Sequence, residues 1–217
     1  ILKIKGDIVS NDMKDIYEWF GYDCTTPGDV LTALEEMPKG DRLQVKINSG
    51  GGDVFAGQEI YSTLRGRNDV DIEVEGLAAS AASVIAMAGK STISPVGMLM
   101  IHDVSASYIS GNHAQLSKQA ETLKAWDEAL ASAYVEKTGK SKEEIIQMMD
   151  AETWITADKA VELGFIDAIS QAGEPVITNS IGNLKVTDEM IKKYEAKKAD
   201  TEKEKNELLK DLDKFGA

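Results

Sequence analysis

A serine near the start of a small-residue helix and a histidine at the end of an apolar strand could together carry out nucleophilic chemistry, since reactive side chains are often displayed at strand ends. Ser80 lies in the small-residue stretch 76–83, near the start of a predicted helix, where its hydroxyl would lie at the positive end of the helix. His102 directly follows the apolar run 98–101. Histidine can take a hydroxyl proton near neutral pH. The two residues are therefore a candidate nucleophile and general base, although each alone also fits a closely packed helix or a surface histidine.

Two further stretches have residue types that would complete such a site. The loop 48–52 contains three consecutive glycines between a strand and a helix, so its backbone N–H groups could face an anion or a developing oxyanion. It lacks the Gly-Lys-Ser/Thr of a phosphate loop and fits a plain tight turn equally well. The stretch 150–154 contains two carboxylates, Asp150 and Glu152, either of which could orient an imidazole.

The segments that position these residues alternate between strand and helix with short connections. This alternation predicts an α/β layered domain with largely parallel strands. We expect one domain over residues 1–170, a linker over 171–184 and a charged tail over 185–217 that is helical or partly disordered. The predicted strands are 1–8, 42–48, 71–75, 91–94, 97–101 and 165–169, and the predicted helices are 13–20, 26–36, 53–64, 78–88, 112–136, 141–149 and 157–163.

The net charge of −13 excludes several classes of partner. Such an acidic chain repels nucleic-acid backbones and anionic lipid surfaces, and no apolar run is long enough to cross a bilayer. A single cysteine, Cys24, rules out an internal disulfide, and with only two histidines a protein-built zinc site is not expected. Because no signal-peptide pattern is present, we expect a cytoplasmic location, in a bacterium or a phage-infected cell.

Taken together, the motifs resemble the proteolytic subunit of the Clp protease. The resemblance covers about residues 1–170 and depends on four stretches. They are Asn48-Ser49-Gly50-Gly51-Gly52 with Ala56-Gly57 and Ile60-Tyr61, Ala78-Ala79-Ser80, Met100-Ile101-His102, and Trp154-Ile155-Thr156-Ala157 with the run from Ala160 to Asp167.

This resemblance implies a crotonase-like spiral of strand–helix units and peptide-bond hydrolysis through an acyl-enzyme. It assigns Ser80 as nucleophile, His102 as general base, and the N–H groups of Gly52 and Ala81 as the oxyanion hole. It implies no metal and no cofactor. It also implies heptameric rings, stacked through the helix over 112–136, whose inner chamber receives polypeptide substrates from an AAA+ unfoldase.

Several positions depart from the family pattern. Gly50 replaces a proline, and Ala81 replaces a methionine whose role is played by its backbone. The family aspartate corresponds to Glu152, which we take as the third catalytic residue, with Asp150 or a Ser–His dyad as alternatives. These details and the charged tail are more similar to phage or prophage relatives, some of which process capsid proteins.

Two other functions are compatible with the predicted fold. A crotonase-like acyl-CoA enzyme would use paired backbone N–H groups without a Ser–His pair. A non-catalytic assembly or scaffold protein would use only the ring and the tail. The Ser80 and His102 motifs favour the peptidase.

Overall fold

The chain folds around an eight-stranded sheet with helices packed against it. The strands are mostly parallel, as the sequence predicted. The computed structural model describes residues 1–107, 109–171 and Lys203. In chain order the strands are β1 (Leu2–Ile8), β2 (Cys24–Thr25), β3 (Leu43–Gly52), β4 (Val70–Ala79), β5 (Lys90–Ile93), β6 (Met98–Ile101), β7 (Thr153–Thr156) and β8 (Ala168–Ile169). The α-helices are α1 (Lys14–Phe20), α2 (Pro27–Glu35), α3 (Val54–Leu64), α4 (Ala81–Ala86), α5 (His113–Thr138), α6 (Lys142–Asp150) and α7 (Ala157–Glu162).

The sheet branches at β4, and this branch positions the candidate site. The main path runs β2-β1-β3-β4-β5-β8, with β5 paired to the first half of β4. The second half of β4 pairs in parallel with β6, where Ala79 lies opposite Met100. Strand β6 then pairs with β7, the one antiparallel pair among the described strands. Because β3, β4 and β6 run in the same direction, their carboxyl ends meet at one edge of the sheet.

Strand β4 is longer than the sequence predicted, and its extension decides where Ser80 lies. The prediction ended this strand near Gly76 and began a helix at residue 78. Instead the strand continues to Ala79, and the helix begins at Ala81. Gly76 accommodates the side chain of Asn48, because a Cβ at position 76 would lie 2.7 Å from Asn48 Oδ1. That oxygen accepts a hydrogen bond from the N–H of Leu77, at 3.1 Å.

Other boundaries differ from the predictions in ways that strand pairing explains. Strand β3 continues through the glycines to Gly52, which pairs with Ile8 of β1. The strands β2 and β7 were not predicted, since strands this short depend on their partners rather than on a pattern of their own. The predicted strand over 165–169 was too long. Only Ala168 and Ile169 pair with β5, while Phe165 and Ile166 are buried in the core.

Helix α5 is the longest of the described helices, and both of its ends have clear local causes. Asn112 caps its start, because its side chain accepts from the N–H of Gln115 and the side chain of Gln115 accepts from the N–H of Asn112. Gly139 ends it in the left-handed conformation, φ 71°. On the side of α5 that faces the core, Ala131 and Tyr134 pack with the buried side chains of the sheet.

All of these elements belong to one compact unit, Ile1–Ala172. No helix in the described part of the chain is long and apolar enough to span a membrane. Apart from residue 171 and Lys203, which is helical and exposed, the predicted linker and charged tail lie outside the described residues. The division of the chain at about residue 170 therefore stays a prediction.

Candidate active site

The structure brings together the two residues that the sequence singled out. His102 Nε2 lies 2.8 Å from Ser80 Oγ, which is a hydrogen-bonding distance. The contact follows from the pairing of β4 with β6, because Ser80 and His102 directly follow these two strands. A backbone hydrogen bond continues this strand pairing as far as Ser80, whose N–H donates to the carbonyl of Met100 at 2.9 Å.

Ser80 has a backbone conformation that is rare for a residue with a side chain. Its φ is 53° and its ψ is −127°, and only Ser80 and Glu152 have positive φ among the described non-glycine residues. Such conformations cost about 1–3 kcal/mol and persist only where surrounding contacts impose them. Three hydrogen bonds do so here. The Ser80 N–H bonds Met100, and the Ser80 carbonyl accepts from both the N–H and the hydroxyl of Ser83, at 2.9 and 2.6 Å.

The Ser83 hydroxyl is anchored in turn by a residue of α5. Tyr134 Oη lies 2.7 Å from Ser83 Oγ, and both side chains are buried. Since Ser83 donates to Ser80, the Tyr134 hydroxyl donates to Ser83. Burial raises the pKa of Tyr134 well above its usual range, so this hydroxyl keeps its proton. A chain of two hydroxyls therefore connects α5 to the backbone of Ser80.

The glycine loop approaches Ser80 more closely than any other residue type would permit. At Gly51, φ is 99°, and a Cβ would lie 2.6 Å from Ser80 Cβ and 2.7 Å from the carbonyl oxygen of Ala79. At Gly52, a Cβ would lie 2.2 Å from the carbonyl oxygen of Ile8. Gly51 was part of the predicted motif, but its role as the residue packed against Ser80 depends on the tertiary structure.

A small cavity of about 60 Å³ lies beside the Ser80 hydroxyl. The predicted oxyanion-hole residues, Gly52 and Ala81, both line it, together with His102. Ala81 is the first residue of α4, so its N–H has no acceptor within the helix. The cavity is also lined by Val54, Gln58, Val84, Leu130 and Tyr134.

The predicted acid, Glu152, occupies a less direct position. The last β6–β7 pair is Ile101 with Thr153, so Glu152 and His102 are the next residues along their strands. The side chain of Glu152 is nevertheless exposed, and it accepts a hydrogen bond from Trp154 Nε1 at 3.3 Å. Its backbone is left-handed, φ 47°, where the chain turns from α6 into β7. Within the described residues, the only hydrogen bond of His102 is the one to Ser80.

A second group of carboxylates surrounds the segment that follows His102. Asp103, Asp127 of α5 and Asp150 of α6 line a common surface depression. Burial, the charge of Asp127 and the neighbouring carboxyl group of Asp150 raise the pKa of Asp103 to about 6. The Oδ1 atom of Asp103 is buried without a hydrogen-bond partner among the described residues. The described residues contain no cluster suited to hold a metal ion.

Comparison with known proteins identifies the family. The model of the Clp protease family matches residues 27–173. The chain belongs to the Clp protease family. It is 31% identical over 187 residues to the ATP-dependent Clp protease proteolytic subunit 2 of Chlamydia trachomatis serovar D, covering 82% of this chain and 91% of that protein.

Two further Clp proteins fit the same assignment. The chain is 36% identical over 138 residues to the ATP-dependent Clp protease proteolytic subunit 1 of Streptomyces avermitilis. The aligned part covers 62% of this chain and 63% of that protein, which is less than two thirds of its length. A mutant of ClpP1 from Listeria monocytogenes has the same fold, with a TM-score of 0.63, 22% identity and coverage of 79% and 91% of the two chains. Membership of the Clp protease family supports a proteolytic function.

Sequence reasoning missed Asp103 and Asp127. Asp103 adjoins His102, but nothing in the sequence places it beside Asp150. Asp127 did leave a signal, because it precedes Leu130, Ala131 and Tyr134 by three, four and seven residues. That spacing puts a carboxylate on the buried face of α5, where an unpaired charge is costly.

We expect Gly51→Ala to lower the reactivity of Ser80 toward a fluorophosphonate by about a hundredfold or more, comparable to the loss of one oxyanion-hole donor. The added methyl group would displace Ser80, and the φ of 99° disfavours alanine. Gly50→Ala is the matched control, because a Cβ there has no heavy atom within 4 Å. Equal labelling rates in the two variants would contradict this packing argument.

The hydroxyl chain predicts a non-additive pair of substitutions. Ser83→Ala leaves the buried Tyr134 hydroxyl without a partner, and we expect a loss of about 1–3 kcal/mol in the free energy of unfolding. Ser83→Ala with Tyr134→Phe removes both hydroxyls, so the double variant should be more stable than Ser83→Ala alone. Thermal unfolding at one protein concentration measures this order, and a double variant less stable than Ser83→Ala would contradict it.

The raised pKa of Asp103 predicts a pH-dependent effect on stability. Between about pH 4 and pH 6 the folded chain holds a proton that the unfolded chain has lost, so this group lowers stability as the pH rises. Asp103→Asn removes the penalty, and at pH 8 its melting temperature should exceed that of the wild type by roughly 2–4 °C. The gain should shrink at pH 4.

The control for that prediction is Asp158→Asn, which changes an exposed carboxylate on α7. Its melting temperature should follow that of the wild type at both pH values. If Asp103→Asn raised the melting temperature equally at pH 4 and pH 8, the cost of ionising the buried Asp103 carboxyl would not be the cause of its effect.

Proposed function

We propose that this chain is a serine endopeptidase in which Ser80 is the nucleophile and His102 is the general base. The 2.8 Å contact between His102 Nε2 and Ser80 Oγ is the observation on which the proposal depends. The strained backbone of Ser80 supports it, since such strain clusters at active sites. Gly52 and Ala81, which line the adjoining cavity, are proposed to supply the oxyanion-hole N–H groups.

The proposed reaction has two halves. His102 Nε2 takes the Ser80 proton as Oγ attacks the peptide carbonyl carbon, and the carbonyl oxygen becomes an oxyanion that accepts from Gly52 and Ala81. The C–N bond then breaks, and His102 gives the proton to the leaving amine. Water, deprotonated by His102, attacks the acyl-enzyme, and the returned proton restores Ser80. No redox step or cofactor enters this sequence.

Glu152 remains our proposal for the family acid, with Asp150 as the alternative within the same turn. Glu152 immediately precedes β7, the strand that pairs with β6, and its extra methylene gives it reach toward His102. The pair of Ser80 and His102 would also operate as a dyad if neither carboxylate reaches the imidazole.

The proposed substrates are polypeptides, and the proposed setting is the chamber of a homo-oligomer in the cytoplasm. The assembly is proposed as a heptameric ring or stacked rings, by analogy with the family. The partner that delivers substrates is proposed to be an AAA+ unfoldase. Cleavage of phage capsid proteins is the alternative role for the same chemistry.

The decisive experiment is fluorophosphonate labelling of the full chain. Wild type should be labelled, and Ser80→Ala should not be. His102→Ala should be labelled slower by several orders of magnitude, because removal of a general base abolishes activation of the nucleophile. Ser62→Ala, which changes an exposed serine of α3, is the matched control and should behave as wild type.

Other outcomes would favour the two alternative functions. An assembled wild type that resists labelling but binds acyl-CoA would overturn the peptidase in favour of a crotonase-like enzyme. A Ser80→Ala chain that retains capsid processing in an infected cell would favour the scaffold.

A further inference from the structure

Asp127 is a buried carboxylate that bonds the backbone beside His102. It is 9% exposed, and its Oδ1 accepts a hydrogen bond from the N–H of Val104 at 2.6 Å. Val104 lies only two residues after His102, in the segment that leaves β6. The carboxylate of α5 therefore holds the part of the backbone from which the imidazole projects. Hydrogen bonds to a charged acceptor are about twice as strong as neutral ones.

The charges around Asp127 point to an electrostatic role as well. Burial raises the pKa of Asp127, and the charge of Asp150 adds to this, while the Val104 N–H and the nearby His102 act in the opposite direction. Asp127 thus lies within electrostatic reach of the imidazole, although it makes no hydrogen bond to it. The other charged groups that face the same depression are Asp103, Lys124 and Glu128 of α5, and Lys142, Glu143 and Asp150 of α6.

Glu152 is less well placed than Asp127 to hold the backbone beside His102 or to interact with the charge of its imidazole. Its side chain is exposed and bonded to Trp154, so water screens its charge. A buried carboxylate interacts with a nearby charge more strongly, because it is screened less. Asp127 is the buried one of the two, and it already has a fixed orientation through Val104.

We propose that Asp127 is a positioning residue for His102, which it orients through the Val104 backbone and whose imidazolium form it stabilises by its negative charge. This inference rests on the proposed function, because it assumes that His102 accepts the Ser80 proton. It assigns to α5 a part in the chemistry that the family pattern places in the turn at residues 150–154.

The test measures the rate of fluorophosphonate labelling against pH for the full chain. Asp127→Asn keeps an oxygen that can accept from Val104 but removes the charge. We expect its labelling to be about tenfold to hundredfold slower than that of wild type, less than the roughly 10⁴-fold loss when a directly bonded triad aspartate is neutralised. The pH of half-maximal labelling should also fall, because loss of a nearby anion disfavours the protonated imidazole.

A control variant separates this role from a structural one. Glu128→Gln changes the neighbouring exposed carboxylate of α5, whose partner is Lys142, and should keep the wild-type rate and pH midpoint. A merely structural role for Asp127 would lower the melting temperature without moving the pH midpoint, and that result would overturn the proposal.

The remaining outcomes are also distinct. Unchanged rate and midpoint in Asp127→Asn, with Ser80→Ala unlabelled, would overturn this inference and leave the peptidase standing. An unlabelled wild type would instead overturn the proposed function. We expect Asp127→Asn to fold, because it relieves repulsion with Asp103 and Asp150. Should it not fold, Asp127→Ser retains an acceptor oxygen and is judged by the same two measurements.

Discussion

The candidate site depends on the parallel pairing of β4 with β6. Pairing of Ala79 with Met100 leaves Ser80 one residue and His102 two residues beyond this pair, so the two side chains come close together where the strands end. The backbone hydrogen bond from Ser80 to Met100 belongs to the same ladder. Two side chains that are 22 residues apart in sequence are thus held together by main-chain contacts, which require little of the residues between them.

The remaining contacts serve to hold Ser80 in a conformation that it would not adopt alone. Gly51 packs against its Cβ, and Ser83 bonds its carbonyl. Tyr134 of α5 completes this support through its hydrogen bond to the Ser83 hydroxyl. Close packing also requires small residues where α3 meets the start of α4. A Cβ at Gly57 of α3 would lie 2.8 Å from Ala81 Cβ. Small side chains are therefore a condition of the site rather than an accident of composition.

The sequence predicted the parts of the site that depend on local pattern. Ser80 lies near the start of a predicted small-residue helix, His102 directly follows an apolar strand, and the chain has only two histidines, so few other pairings were available. The extension of β4 was not predictable, because Gly76 serves the side chain of Asn48, which lies on another strand. Asp127 was missed for a similar reason. Its partner, Val104, lies 23 residues away, and only the packing of α5 brings the two together.

The β4–β6 ladder also limits what the proposed acid has to do. The three residue pairs of this ladder include no acidic side chain, so the approach of the hydroxyl to the imidazole does not depend on which carboxylate serves as the acid. A glutamate in place of the family aspartate, or an acid from another element, therefore requires no change in this frame.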